Sequence, residues 1–284
     1  MSPIWAVHAY AWTSHWTNAD LDVIDRARTL GLDAVEIPLM DRADVDPDAI
    51  RARADACGMR LITSTVCQAH TDPCSPVEAV RAAARDELVA CVDAAAAMGA
   101  TVLSGVTYSH HGGRLDDQPG RVHYERSAEV LRDVARHAAR QGVTVGIEPC
   151  NRYETYLVNT ADQALDLVEL IGEDNVGVHL DTYHMNIEED DLATPIARAG
   201  DRLVHMHLSE SHRGIPGRGT VDWPAVMGAL DAIGYDGFVG LESFEEIAPS
   251  MRAATCVWRT MAESSDALVS EGLAHLKGLA AAAP

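Results

Sequence analysis

The chain has 284 residues, a formal net charge of −21 and an isoelectric point near 4.8, with no basic run to interrupt the acidic surface. A field of that sign repels nucleic acid and anionic membrane, so neither is expected as a partner. The length suits one domain with a large core, expected over residues 1–284.

Lys277, near the end, is the only lysine. Schiff-base chemistry and phosphate loops need a lysine in a strand or loop site, so both classes drop out. The six cysteines form no CxxC pair, which suits reduced thiols. No basic segment followed by an apolar stretch opens the chain, and no apolar run approaches the ~20 residues of a membrane span. The expectation is a soluble, cytoplasmic protein.

In chain order, Ile4 to Ala9 reads as an opening strand. Asn18 is placed to cap a helix whose Leu21, Ile24 and Ala27 share one face, and Gly31 stops it. From there one unit repeats: a helical segment, a glycine, then a short apolar run. The glycines are Gly31, Gly58, Gly99, Gly142, Gly172, Gly200 and Gly234. Glycine just past a helix end supplies the left-handed residue that closes it. Helical periodicity covers Val77 to Met98, Tyr124 to Arg140, Ala161 to Ile171 and Trp223 to Ile233. Eight strands alternating with helices predict parallel pairing and a closed (β/α)8 barrel, a TIM barrel in the α/β class. An open doubly wound sheet is the competitor, but no GxGxxG follows the first strand.

Four irregular stretches, Cys67 to Pro76, Tyr108 to Gly120, Asn186 to Asp190 and Ser209 to Val221, all follow a strand and precede a helix. In a barrel such loops gather on the C-terminal face, where active sites sit.

The last four strands end in Glu148, Asp181, His207 and Glu242. A single acidic residue in such a place ordinarily caps the next helix. Four in succession would converge on one rim, where three carboxylates without a cation would raise each other's pKa. Three oxygen ligands and one imidazole favour a divalent metal of the Mn2+, Mg2+ or Co2+ kind. His205 shares a strand face with His207 and reads as a packed or supporting histidine. Glu154, His184 and Arg213 stand nearby in sequence; Glu36 ends the second strand and could meet a ligand or merely cap. Trp12, Trp16 and Phe244 are core fillers in most folds, and near strand ends they could equally wall a pocket.

The motifs Asn151-Arg-Tyr-Glu154, Leu180-Asp-Thr-Tyr-His-Met-Asn-Ile-Glu-Glu189 and Pro216-Gly-Arg-Gly219 resemble the signatures of the ketose 3-epimerases, within the xylose isomerase-like barrels. The similarity runs the whole length and includes Tyr235-Asp-Gly237 and Val257-Trp-Arg259. The resemblance implies that Glu148, Asp181, His207 and Glu242 are the metal ligands, with Mn2+ foremost. It also implies that Glu154, His184 and Arg213 hold the O1 to O3 end of a sugar, and that Phe244 lies beside it. Trp16 and His8 are further expected substrate contacts. His8 stands where the family commonly has an aromatic, Ser64 and Thr65 where cysteine is common, and Tyr108-Ser-His-His111 where tryptophan often occurs.

The implied reaction is epimerisation of a free ketose at C3, with Glu148 and Glu242 as paired acid–base groups and a cis-enediolate between them. Family members are dimers or tetramers, so a homo-oligomer is expected. Alternatives on the same scaffold are an aldose–ketose isomerase of the hydroxypyruvate isomerase kind, an inosose dehydratase, a repair endonuclease and a non-catalytic sugar-binding barrel. The endonuclease needs more histidines at strand ends and a basic groove.

Overall fold

The computed structural model describes residues 3–282. Eight strands, β1 (Ile4–His8), β2 (Ala34–Pro38), β3 (Arg60–Ser64), β4 (Val102–Ser104), β5 (Thr144–Ile147), β6 (Val176–Asp181), β7 (Leu203–His207) and β8 (Phe238–Leu241), pair in sequence order. All pairs are parallel, and β8 returns to β1 to close the barrel. Among the described residues ten α-helices surround it: α1 (Asp22–Thr29), α2 (Pro47–Cys57), α3 (Glu78–Met98), α4 (Arg121–Gln141), α5 (Ala161–Ile171), α6 (Thr182–Glu188), α7 (Ala193–Ala199), α8 (Trp223–Ala232), α9 (Pro249–Thr255) and α10 (Ser265–Ala282). Among the described residues, no helix is long and apolar enough to cross a membrane.

Local sequence explains the joints. Gly58, Gly99, Gly142 and Gly172 close α2, α3, α4 and α5 in the left-handed conformation. Two expectations shift. Thr17, not Asn18, makes the capping box, and it heads a short 3-10 turn before α1, while the Asn18 amide oxygen accepts the N–H of Asp46. Asn186 to Glu188, expected as loop, complete α6, because the Asp181 carboxylate accepts the N–H of Tyr183 and starts the helix directly at the strand end.

Barrel and helices share one hydrophobic cluster that spans the sheet's outer face and the helices' inner faces. Inside the barrel a separate plug of Ala6, Ala34, Ile62, Val102 and Phe238 fills the end where strands begin. Above the plug the interior turns polar. Strand side chains alternate, so the residue two steps beyond Ala34 is Glu36, and two beyond His205 is His207, all on the inner face. Gly146 and Gly240 stand two residues before Glu148 and Glu242. A Cβ on Gly146 would lie 2.7 Å from the Ser104 hydroxyl, and one on Gly240 would lie 3.0 Å from the His207 ring. Both glycines make room for the polar layer beneath the site.

Candidate active site

The four strand-end residues meet at the C-terminal mouth of the barrel. Their common point is the His207 Nδ1 atom, which lies 3.6 Å from Glu242 Oε2, 3.8 Å from Asp181 Oδ2 and 3.9 Å from Glu148 Oε1. Ligand atoms of Glu148, Asp181 and His207 all fall within 4.8 Å of one another.

His207 is oriented from below. Its Nε2 lies 2.8 Å from Glu36 Oε2, and Glu36 is fully buried. A neutral imidazole that donates from Nε2 keeps a lone pair on Nδ1. Without a cation, Glu36 and Glu242 outweigh burial and hold His207 well above its ordinary pKa, so a metal would displace a proton from that nitrogen. That Nδ1 is buried and, among the described residues, has no hydrogen-bond partner. A lone pair without a partner, facing three carboxylates, is a donor set that fits a divalent cation. The same Glu36 oxygen also meets His205 Nε2 at 2.8 Å, so His205 belongs to the support and not to the mouth.

Charge is distributed unevenly over the carboxylates. Burial drives the Glu148 carboxyl well above its ordinary value, and Glu242 and Asp181 add to the rise. Burial opposes ionisation of Glu242 as well, but Arg213 and His207 overcome it and hold that carboxyl at about 2. Asp181 is likewise held well below the usual range, with Arg213 overriding burial. The geometric cause is one guanidinium nitrogen: Arg213 Nη1 lies 2.6 Å from Asp181 Oδ2 and 2.6 Å from Glu242 Oε2. Its plane is gripped between the rings of Tyr183, at 4.2 Å, and Phe244, at 5.4 Å. Arg213 adopts a positive φ of 62°, a conformation rare for residues with a side chain, and its N–H donates to the Glu210 carbonyl at 2.8 Å.

Beside this cluster, Asn151 ties two further groups together. Its side-chain N–H2 donates to Glu154 Oε1 at 2.8 Å and to His184 Nδ1 at 2.9 Å, and its backbone N–H also donates to His184 Nδ1. Both ring nitrogens of His184 therefore meet donors: Nδ1 meets Asn151, and Nε2 lies 3.3 Å from Arg213 Nη2, with Glu148 Oε1 and Asp181 Oδ2 at 3.9 Å each. Burial keeps His184 on the neutral side. Glu154 is held at about 2: burial opposes this, but His111, His184 and Arg213 prevail.

A cavity of about 240 Å³ opens over these groups. Glu148, Glu154, His184, His207, Arg213, Glu242 and Phe244 all line it, and so does His8. Asp181 lies just beneath, fully buried. Trp16 is a correction: it is 2% exposed, joins the main hydrophobic cluster, and is not on the cavity wall. Tyr10 takes the aromatic place instead, 4.4 Å from the His8 ring and 6.0 Å from Phe244. Sequence reasoning missed Tyr10 and Tyr183. The signal available for Tyr183 was its place beside His184 in the long central motif.

Comparison with known proteins agrees with this layout. The family model described as the xylose isomerase-like TIM barrel matches residues 24–278. A ketose 3-epimerase of Arthrobacter globiformis is 36% identical over 273 residues, covering 95% of this chain and 94% of that protein. An L-ribulose 3-epimerase of Mesorhizobium japonicum is 33% identical, with 95% and 92% covered. The crystal structure of a D-allulose 3-epimerase from Methylomonas sp. in complex with D-allulose superposes with a TM-score of 0.93 at 33% identity, covering 98% of this chain and 97% of that one.

Proposed function

The chain belongs to the xylose isomerase-like TIM barrel family and, within it, to the ketose 3-epimerases, and we propose that it inverts C3 of a free ketose. The substrate class is that of D-tagatose, D-fructose, D-psicose and L-ribulose. The observation that carries this reading is the pair Glu148 and Glu242. They follow β5 and β8, three strands apart round the ring, and each reaches His207 Nδ1, at 3.9 Å and 3.6 Å. Inversion needs two acid–base groups that approach one carbon from different sides.

Glu148, Asp181, His207 and Glu242 would hold a divalent cation, Mn2+ foremost with Mg2+ or Co2+ as substitutes, which supplies Lewis acidity at the vicinal oxygens of the ketose. One glutamate removes the C3 proton, leaving a cis-enediolate, and the other returns a proton to the opposite face. Arg213, with His184 beside it, steadies the oxygens where negative charge grows. Glu154 accepts from hydroxyls at the C1 end and stays ionised to do so. Phe244, stacked on Arg213, closes the pocket against water.

We further assign the chain to the cytoplasm and to a homodimer or homotetramer, on the strength of its cysteine usage and its family. The test is a product panel: metal-loaded protein with D-fructose, D-tagatose and L-ribulose, read by NMR. C3 epimers are the expected products. An aldose in their place would shift the assignment to an aldose–ketose isomerase, and inertness over a broad panel would favour a sugar-binding barrel.

A further inference from the structure

We propose that His8 and Ser64 form a specificity dyad that reads a hydroxyl on the C4 to C6 tail of the substrate; this rests on the ketose reading above. His8 ends β1 and Ser64 ends β3, on the side of the ring opposite β5, β6 and β7. Those three strands lead to Glu154, His184 and Arg213, the groups assigned to the C1 end. A chain-like sugar anchored there extends its tail toward β1 to β3.

The direction of the dyad's hydrogen bonds follows from one backbone group. The N–H of Tyr10 can only donate, and it lies 3.1 Å from His8 Nδ1. Neutral His8 therefore carries its proton on Nε2. That Nε2 lies 2.9 Å from Ser64 Oγ, so the hydroxyl oxygen accepts. Glu36 Oε1, at 3.8 Å from the same nitrogen, is too far to compete. Among the described residues, Ser64 Oγ has no other protein partner in hydrogen-bond range. Its own proton is thus free, and the residue, 7% exposed, borders the cavity. A buried hydroxyl with an unspent donor is costly unless something accepts from it, and a hydroxyl oxygen of the sugar tail meets that need.

A phenylalanine at position 8, with no polar atom on its ring, could not orient Ser64 in this way. The dyad therefore makes this pocket prefer a hydroxylated tail through a fixed donor, where an apolar wall would select only by shape.

The test compares wild type, Ser64→Ala and His8→Phe on D-fructose and on its 4-, 5- and 6-deoxy analogues, with metal affinity measured by calorimetry to show that the site is intact. Ser64→Ala is expected to lose about 3- to 30-fold in kcat/KM on D-fructose, carried by KM. On the one analogue that lacks the hydroxyl Ser64 reads, the loss vanishes, and His8→Phe shows the same pattern. Equal losses on all three analogues, or none on D-fructose, overturn the dyad while leaving the C3 epimerase reading standing. Full discrimination retained in His8→Phe overturns the orienting role of His8. A wild type inert on every ketose overturns both readings together.

Discussion

Glu36, midway along β2, crosses the barrel interior to place its Oε2 2.8 Å from Nε2 of His207 on β7. The two residues are 171 positions apart in the chain, and the contact decides which nitrogen of His207 faces the carboxylates. Carboxylates that hold a ligating histidine in this way typically contribute about 10- to 100-fold to metal affinity. Glu36→Leu is accordingly expected to weaken Mn2+ binding by that order, with Glu36→Gln in between because its amide oxygen still accepts. Titration calorimetry on metal-free protein reads this directly, and affinity within twofold of wild type in a folded variant would contradict it.

The paired glutamates predict an isotope pattern as well as a rate. Glu148→Gln and Glu242→Gln each remove one acid–base group, so epimer formation should fall by about 10²- to 10⁴-fold in either. The remaining glutamate still faces one side of C3. Each variant should therefore wash solvent deuterium into one of the two epimers without converting it to the other. Exchange into both epimers in a single variant would mean that one carboxylate serves both faces.

Glu154 gives a pH prediction with a definite sign. Its carboxyl is lowered from an ordinary 4.5 to about 2 by His111, His184 and Arg213, against the pull of burial. A depressed acid pKa stabilises the fold above the unfolded value, and the contribution is lost as pH falls toward the folded one. Wild type should lose more stability than Glu154→Gln between pH 4.5 and about 2, and the two should run parallel above that window. Melting temperature against pH for both proteins checks it; parallel curves throughout would contradict the assignment.

Gly146 offers a packing test remote from the sugar. The Ser104 hydroxyl sits 2.7 Å from where a Cβ would stand, and its bond of 2.6 Å to His179 Nδ1 holds it there. Gly146→Ala should cost about 1–3 kcal/mol in denaturant unfolding. It should also lower turnover, because Glu148 follows two residues later on the same inner face. A neutral substitution would mean that the polar layer yields easily.

Much of this was legible in the chain because the signals are local. Glycines past helix ends and acidic or imidazole side chains ending apolar runs mark eight strands and their working rim without reference to anything distant. Glu148, Asp181, His207 and Glu242 could be read that way. Glu36, expected to end the second strand, instead lies midway along β2, and its partner could not be read at all, since alternation tells which face a residue takes and not what stands across the barrel. Trp16 failed for a related reason: nearness in sequence to the β1 mouth does not say whether an indole turns to the cavity or to the helices, and here it turns to the core. The extension of α6 through Glu188 was hidden because Asp181, which ends β6, is also the helix cap.

The most direct measurement is the position of solvent label. Metal-loaded protein is incubated with D-fructose in D2O, and recovered sugars are examined by NMR. Deuterium at C3 of the epimeric product, dependent on added Mn2+ and lost when Glu148 and Glu242 are both replaced by Gln, is the predicted result. Label confined to C1 or C2, or epimer formed with no deuterium at C3, would contradict proton transfer at C3 by this pair.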